Sequence, residues 1–287
     1  MTRARVQVDG QTEVIAHIGY PTHTFRAPLI YNPWFAQIGV NVLVVPMSCR
    51  AEHFPAFLRS VFTLTNVRGA LITMPHKVSA LALLDELSVT ARIAGACNAV
   101  RRLPDGRLLG DQFDGAGFVR GVQRKGLRLA GARALVVGCG GVGRAIAASL
   151  AAAGVAALRL VDLQTVAARQ LAHGLAAHYP ALAVEAGAAA AADPAGFDLV
   201  VNATPLGSQP GDPLPVDPER LAACTFVGDV ALGTDMTPLL SAAHARGCRV
   251  QVGADMLYEM IPAYLEFFDL PVATAEQLRA LAEPRRG

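Results

Sequence analysis

A glycine-rich turn between an apolar run and an alanine-rich segment constrains the fold of this chain more than any other feature. The run Ala134-Leu135-Val136-Val137 leads into Gly138-Cys139-Gly140-Gly141-Val142-Gly143, and residues 144–153 have the composition of a helix. A G-x-G-x-x-G turn between a strand and a helix lets backbone amides and a helix N-terminus approach a pyrophosphate. The sequence therefore predicts that this turn binds a dinucleotide.

Short apolar runs alternate with segments of helical period along the chain, which predicts an α/β fold with mostly parallel sheets. We expect an N-terminal α/β domain, residues 1–113, completed by C-terminal helices in 254–287, and a C-terminal Rossmann domain, residues 114–253. The expected strands include 13–18, 40–45, 69–72, 134–137, 158–161, 199–202, 226–229 and 249–252, with another around Val184 and a hairpin near 98–109. The expected helices include 27–38, 51–64, 77–84, 144–153, 238–246 and 256–268, and one that ends near His178.

Composition narrows the class of protein. Of the 287 residues, 53% are hydrophobic and 17% are charged, which supplies enough apolar material for packed cores. The net charge of +2 gives no reason to expect a nucleic-acid or membrane partner. The N-terminus lacks the apolar core of a signal peptide, and no apolar stretch reaches the roughly 18 residues of a membrane span, so we expect a cytoplasmic protein. The cysteines form no C-x-x-C pair and the histidines have no ligand spacing, so we expect no metal site.

The acidic residue after the next predicted strand indicates the kind of dinucleotide. Asp162 follows the run 158–161, about 20 residues beyond the glycine-rich turn. A carboxylate at this position accepts hydrogen bonds from the ribose hydroxyls and repels a 2′-phosphate. The following residues, Leu163-Gln164-Thr165, include no arginine that would pair with such a phosphate. The sequence therefore predicts NAD as the cofactor in preference to NADP.

Several further segments resemble motifs of the shikimate/quinate dehydrogenase family, in the order in which that family has them. They are Thr73-Met74-Pro75-His76-Lys77, Gly95-Ala96-Cys97-Asn98, Gly110-Asp111-Gln112-Phe113-Asp114-Gly115, Asn202-Ala203-Thr204-Pro205-Leu206-Gly207, Thr237-Pro238-Leu239-Leu240 and Gly253 with Met256-Leu257. The resemblance implies an oxidoreductase with an N-terminal substrate domain, a C-terminal NAD-binding Rossmann domain and an active site in the cleft between them.

The resemblance also implies roles for individual residues. Lys77 and Asp114 match the catalytic pair. The reaction that the resemblance implies is hydride transfer between a nicotinamide and a secondary alcohol of a shikimate-like cyclic polyol. A lysine suits this reaction because the hydroxyl proton must leave as the hydride is transferred. Thr73 and Asn98 match positions that contact the substrate. The residues that match cofactor-binding positions outside the glycine-rich turn are Asn202, Ala203, Thr204, Leu206 and Gly253, which join Asp162 in the predicted cofactor site.

The substrate pocket departs from the family pattern. Relatives hold the substrate carboxylate with a Ser-x-Ser-Pro segment, whereas this chain has Phe25-Arg26-Ala27-Pro28, and Met260 replaces an expected glutamine. Each lost hydrogen-bonding partner costs roughly 1–3 kcal/mol. We therefore expect Phe25, Ala27 and Met260 to line a pocket of altered specificity, for quinate, an aminoshikimate or a related cyclic polyol. Glu259 is a candidate partner for a substrate amine.

Two other functions remain open on the sequence alone. One is a non-catalytic NAD-binding sensor or partner-binding protein with the same fold, which would need neither Lys77 nor Asp114. The other is an enzyme that acts on folate- or amino-acid-derived substrates with a similar Rossmann domain. The expected partner is a small-molecule substrate, and the expected state is a monomer or a homodimer.

Overall fold

The computed structural model describes residues 8–23, 25–209, 211–231 and 236–282. The chain forms two compact units. Of the described residues, the first unit contains those up to Phe113 together with those from Ile261 onward, and the second contains those from Asp114 to Met260.

The first unit is built on a mixed sheet in the order β2-β1-β3-β5-β6-β4. Its strands are β1 (Glu13–Gly19), β2 (Val42–Ser48), β3 (Val67–Ile72), β4 (Glu86–Leu87), β5 (Ala99–Arg102) and β6 (Leu108–Asp111). The helices that lie between these strands in the chain are α1 (Ala27–Ile38), α2 (Phe54–Val61) and α3 (Val89–Ala94). Strand β1 is parallel to β2 and β3, whereas β5 is antiparallel to β3. The N–H of Ile72 donates to the carbonyl of Asn98 at 2.8 Å. The carboxyl ends of β1 and β3 and the start of β5 therefore share one edge of the sheet.

Apolar side chains pack this sheet against helix α2. Phe54 and Leu58 of α2 are fully buried in a cluster that includes Ile18 and Ile72 of the sheet. Helix α1 begins with Pro28 in its first turn and ends at Gly39, whose left-handed φ of 68° is a conformation that glycine adopts without strain. These signals explain why the predicted helix 27–38 agrees with α1.

The second unit contains a parallel sheet in the order β12-β11-β10-β7-β8-β9. Its strands are β7 (Arg133–Val137), β8 (Ala157–Asp162), β9 (Ala183–Ala188), β10 (Leu199–Asn202), β11 (Phe226–Asp229) and β12 (Arg249–Gln251). Its helices are α4 (Asp114–Arg124), α5 (Gly141–Ala152), α6 (Thr165–His178), α7 (Pro238–Ala245) and the first part of α8 (Gly253–Phe267), whereas the end of α8 and α9 (Ala275–Ala282) belong to the first unit. The order reverses between β7 and β10, as it does in Rossmann folds. The predicted α/β fold with a C-terminal Rossmann domain is confirmed.

Helix α8 carries the chain from the second unit back to the first. A Cβ atom on Gly117 of α4 would lie 2.5 Å from the carbonyl oxygen of Met256 and 2.6 Å from the Cβ of Met260. The first turns of α8 therefore pack directly on α4 in the second unit, and the first unit resumes at Ile261. The sequence predicted that the return to the N-terminal domain begins at residue 254. Within the described residues, none of the helices combines the length and the apolar character that crossing a membrane requires.

Candidate active site

The glycines of the turn after β7 divide into two kinds. Gly138 has a φ of 99°, and a Cβ there would lie 2.8 Å from the carbonyl oxygen of Ala203. A Cβ on Gly143 would lie closer than 3.0 Å to the carbonyl oxygen of Gly138. By contrast, nothing lies within 4 Å of the Cβ positions of Gly140 and Gly141. Gly138 and Gly143 therefore close the turn, whereas Gly140 and Gly141 keep the backbone accessible.

This accessible backbone is the start of helix α5. Gly140 is the N-cap residue, and no side chain caps the helix. The first turn, which contains the half-buried Val142, therefore presents N–H groups that no side-chain cap satisfies. A helix N-terminus of this kind binds phosphate groups through backbone N–H donors and the helix dipole. The turn fits the pyrophosphate of a dinucleotide.

Both carboxylate oxygens of Asp162, at the end of β8, accept hydrogen bonds from backbone N–H groups. Its Oδ2 accepts a hydrogen bond from the N–H of Cys139 at 2.6 Å. Its Oδ1 accepts one from the N–H of Gln164 at 2.7 Å. The carboxylate therefore holds the glycine-rich turn against the end of β8.

A buried polar network orders the loop after β10. The side-chain amide of Asn202 donates to the carbonyl of Leu206 at 2.9 Å and to Oδ2 of Asp229 at 3.0 Å. The side-chain oxygen of Asn202 accepts from both the N–H and the hydroxyl of Thr204. Because Asn202 is fully buried, these bonds leave the loop little freedom to change its conformation.

Sequence reasoning did not assign Asp229 or Thr237 to the site. Oδ2 of the buried Asp229 also accepts the hydroxyl of Thr237 at 2.9 Å, and its Oδ1 accepts the N–H of Ala231 at 3.0 Å. Thr237 in turn caps α7 by accepting the N–H of Leu240. The signal that could have identified Asp229 is its position: it ends β11 as Asn202 ends the neighbouring β10.

Ala203 and Gly253 occupy close-packed backbone positions in the same unit. The N–H of Ala203 donates to the carbonyl of Val137 at 2.8 Å, which ties the loop after β10 to the glycine-rich turn. A Cβ on Gly253 would lie closer than 3.0 Å to the carbonyl oxygen of Ala231. The start of α8 therefore approaches the end of β11 at a distance that only glycine permits.

In the first unit, backbone hydrogen bonds fix the segment that carries Lys77. The N–H of Thr73 donates to the carbonyl of Ile18, and the N–H of Cys97 donates to the carbonyl of Lys77 at 2.7 Å. Lys77 therefore lies beside Asn98 on the sheet edge where β3 ends. Both Thr73 and Lys77 are partly buried.

The side chain of His76 packs this segment into the core of the first unit. It is fully buried, and its ring stacks on Phe54 with the centroids 4.0 Å apart and the planes 6° from parallel. Its Nε2 lies 2.8 Å from the carbonyl oxygen of Cys49. Burial lowers the pKa of His76. The buried ring of His76 therefore fixes the backbone directly before Lys77.

Asn98 links the Lys77 segment to the chain that leads to Asp114. Its own N–H donates to the carbonyl of Asp111, and its side-chain oxygen accepts the N–H of Phe113 at 2.9 Å. Asp114 follows Phe113 directly, opens α4 and is 4% exposed. The backbone before the predicted catalytic carboxylate is therefore fixed by the residue that stands beside Lys77.

Phe25 and Ala27, at the positions where the family resemblance leads us to expect serines, offer no hydroxyl. The ring of Phe25 stacks on that of His17, with the centroids 4.0 Å apart and the planes 27° from parallel. Ala27 is the first residue of α1 and is partly buried. His17 was not singled out from the sequence, although a histidine inside the apolar run 14–18 of β1 was the signal available.

The remaining pocket candidates lie on α8 in the second unit. Met260 packs its Cβ toward Gly117 of α4. Glu259, considered above as a partner for a substrate amine, has a buried side chain that pairs with Arg124 at 3.1 Å. The Arg124 pair gives Glu259 a structural partner of opposite charge, so an amine is not needed to account for its burial.

His17 leads to a prediction about stability at acidic pH. Burial, with a smaller contribution from the charge of Lys77, lowers the pKa of His17 from 6.5 to about 4. Because the folded pKa is the lower one, the unfolded chain binds more protons between these values, and stability falls as the pH falls from 6.5 towards 4. We expect His17 to account for a loss on the order of 3 kcal/mol over this range.

The measurement is urea unfolding of the wild type and of His17→Gln at about pH 7.5 and about pH 4.5. The variant removes the titrating group, so its free energy of unfolding should decline less than that of the wild type between the two conditions. Equal declines would show that His17 is protonated as readily in the folded chain as in the unfolded one.

The strand order and the glycine-rich turn define a dinucleotide-binding Rossmann protein. A family model described as the shikimate dehydrogenase substrate binding domain matches residues 17–100, and a model of the ThiF family matches residues 118–178. The first match contains Thr73, Lys77 and Asn98. The second contains the glycine-rich turn.

Relatives extend the likeness to nearly the whole chain. The shikimate dehydrogenase (NADP(+)) of Rubrobacter xylanophilus is 34% identical over 281 residues, which cover 96% of this chain and 98% of that protein. The structure of a shikimate 5-dehydrogenase from Listeria monocytogenes in complex with shikimate and NAD has a TM-score of 0.90 at 23% identity, covering 96% of this chain and 98% of that chain. A ligand-free 5-ketofructose reductase of Gluconobacter sp. strain CHM43 has a TM-score of 0.86 at 25% identity, covering 96% and 99%. This chain belongs to the shikimate dehydrogenase family, whose members are pyridine-nucleotide oxidoreductases.

The predicted preference for NAD over NADP is wrong. The curated relatives, including those of Rhodospirillum rubrum and Acidiphilium cryptum, are named shikimate dehydrogenase (NADP(+)). The prediction treated Asp162 as a carboxylate available to the ribose and repulsive to a 2′-phosphate. In the structure both of its oxygens accept backbone N–H groups, from Cys139 and Gln164, and these bonds offset part of its charge.

Proposed function

We propose that this protein transfers a hydride between a pyridine nucleotide and a secondary alcohol of a shikimate-like cyclic polyol. The observation that carries the proposal is the support of Lys77, whose segment is fixed beside Asn98 by backbone hydrogen bonds and by the buried ring of His76. A lysine on a merely solvated surface would need no such support. Family membership adds the expectation of an oxidoreductase.

In this proposal Lys77 removes the hydroxyl proton as the hydride leaves the adjacent carbon, and returns it in the reverse direction. Asp114 would hold the amino group of Lys77 in place and share the hydroxyl. Thr73 and Asn98 bind neighbouring hydroxyls and so keep the reacting carbon in line for transfer. The Lys77 amine thus becomes an ammonium as the substrate alcohol becomes a carbonyl, and the proton and the hydride leave the substrate together.

The second unit would hold the cofactor. The backbone of Gly140 and Gly141 would bind the pyrophosphate, and the loop from Asn202 to Leu206 would flank the nicotinamide. When bound, the nicotinamide supplies the hydride acceptor or donor. The names of the curated relatives point to NADP(H) as the nucleotide to expect.

The proposed substrate differs from shikimate at its carboxylate end. Phe25 and Ala27 lack the hydroxyls that would hold a carboxylate, and each missing partner costs roughly 1–3 kcal/mol. We expect shikimate itself to be a poor substrate. Quinate, an aminoshikimate and other cyclic polyols remain candidates, and a cytoplasmic location and a monomeric or dimeric state remain predictions.

The test is a screen of cyclic polyols with both NADP⁺ and NAD⁺, followed by absorbance of the reduced nucleotide. We expect turnover of at least one cyclic polyol, and none of a simple acyclic secondary alcohol offered as the control. Nucleotide binding without turnover of any polyol would contradict the proposal. It would favour the non-catalytic dinucleotide-binding protein instead.

A further inference from the structure

His17 has a buried ring nitrogen that the protein does not satisfy. The residue lies in β1 and is 9% exposed, and no group in the described part of the chain hydrogen-bonds its Nδ1. Leaving a buried polar atom unpaired costs roughly 1–3 kcal/mol, so native proteins rarely do so without a functional reason.

The face of the sheet that carries His17 also carries the proposed substrate residues. His17 and Gly19 point to the same face of β1, because side chains alternate along a strand. A Cβ on Gly19 would meet the methyl carbon of Thr73, and it would lie 2.8 Å from Cζ of Phe25. The Phe25 ring stacks on His17, and the charge of Lys77 acts on the imidazole. His17 therefore belongs to the same cluster as Thr73, Lys77 and Phe25.

The chemistry of this cluster suits an uncharged group. Burial and the Lys77 charge lower the pKa of His17 to about 4, so its imidazole is neutral near pH 7. A neutral imidazole donates through one nitrogen and accepts through the other, as a hydroxyl group also does. The face of the Phe25 ring is electron-rich and repels a carboxylate. A hydroxyl can satisfy Nδ1 of His17 whether that nitrogen donates or accepts, and it can lie against Phe25, whereas a carboxylate has no proton to give an accepting Nδ1 and is repelled by the ring face.

We propose that Nδ1 of His17 hydrogen-bonds an uncharged hydroxyl of the substrate, and that the stacked pair of His17 and Phe25 selects neutral polyols over polyols with a carboxylate. The inference rests on the proposed function, since it names the substrate class of the same site. One relative, the 5-ketofructose reductase, is itself named for an uncharged ketose.

The experiment measures binding rather than turnover. Dissociation constants of shikimate and of its uncharged methyl ester are determined calorimetrically for the wild type, His17→Leu and His17→Gln. We expect the ester to bind the wild type at least about 10-fold more tightly than shikimate does. His17→Leu should weaken ester binding by about 10-fold and leave shikimate binding within about twofold, whereas His17→Gln should retain most of the ester affinity because it keeps a hydrogen-bonding group.

Three outcomes would overturn the inference: shikimate binding as tightly as the ester, His17→Leu weakening both ligands equally, or neither ligand binding. Phe25→Ser provides an independent variant that should shift preference back towards shikimate. Unchanged nucleotide affinity is the control for an intact fold. Because binding does not require turnover, an inactive protein that prefers the ester would defeat the proposed reaction alone. An active one that prefers shikimate would defeat this inference and the altered specificity at the carboxylate end, and would leave the proposed hydride transfer intact.

Discussion

Lys77→Met is expected to lower kcat for polyol oxidation by roughly 10²- to 10⁴-fold, the range that a positioned general base contributes. Methionine keeps the length of the side chain but has no group that takes a proton. The fold should survive, because the hydrogen bond that fixes Lys77 uses its backbone carbonyl, which accepts from Cys97. Stopped-flow measurement of nucleotide reduction at saturating substrate reports the loss directly.

A matched control is available in the second unit. Lys125 is an exposed lysine whose ammonium pairs with Asp255 at 2.6 Å. Lys125→Met removes the same charge from the chain and should leave kcat within about twofold of the wild type. If Lys77→Met kept more than about a tenth of wild-type kcat, Lys77 would not be the base.

Substitutions in the glycine-rich turn should separate stability from nucleotide binding. Gly143→Ala places a methyl group against the carbonyl oxygen of Gly138, and the turn must deform to admit it. We expect a loss of roughly 1–3 kcal/mol in stability and of at least about 100-fold in nucleotide affinity. A Cβ on Gly141 has no atom of the protein within 4 Å, so Gly141→Ala should leave stability unchanged. It should weaken nucleotide binding by about 10-fold, because the added methyl group would stand where we expect the pyrophosphate to approach.

Fluorescence titration with NADPH and with NADH, together with thermal unfolding, measures both effects. Gly174→Ala is the control, since Gly174 lies in α6 with nothing within 4 Å of its Cβ position. Alanine there should keep nucleotide affinity and match or exceed wild-type stability, as alanine favours helix more than glycine does. Gly141→Ala with full affinity would exclude a nucleotide from this turn.

Local signals predicted much of the fold and failed where packing overrides them. The runs 199–202 and 226–229 agree with β10 and β11, since buried parallel strands are continuously apolar. Helix α4 was missed because Gly115, Gly117 and Gly121 disfavour a helix. In the structure a Cβ on Gly115 would meet the carbonyl oxygen of Ala145, so α4 needs glycine in order to lie against α5.

Other differences have similar causes. The predicted helix 77–84 is a short 3-10 helix, Ser79–Leu83, since the Lys77 segment before it is held to the sheet edge by its backbone bonds. Helix α9 falls within the C-terminal helices expected in 254–287, although its bounds were not predicted, and it packs against α1. The roles of Lys77, Asp114 and the other site residues remain predictions, although the family that they implied is confirmed.

The sequence by itself determined the α/β class, the glycine-rich turn and the family, because these depend on residues close together in the chain and on their order. Only the tertiary structure decided what each polar group contacts. Asp162 bonds to backbone N–H groups, Asn202 meets Asp229, and His17 stacks on Phe25. Hydrogen bonding and burial are set by neighbours far away in sequence, so a residue's chemistry follows from the packed fold and cannot be assigned from its type and position alone.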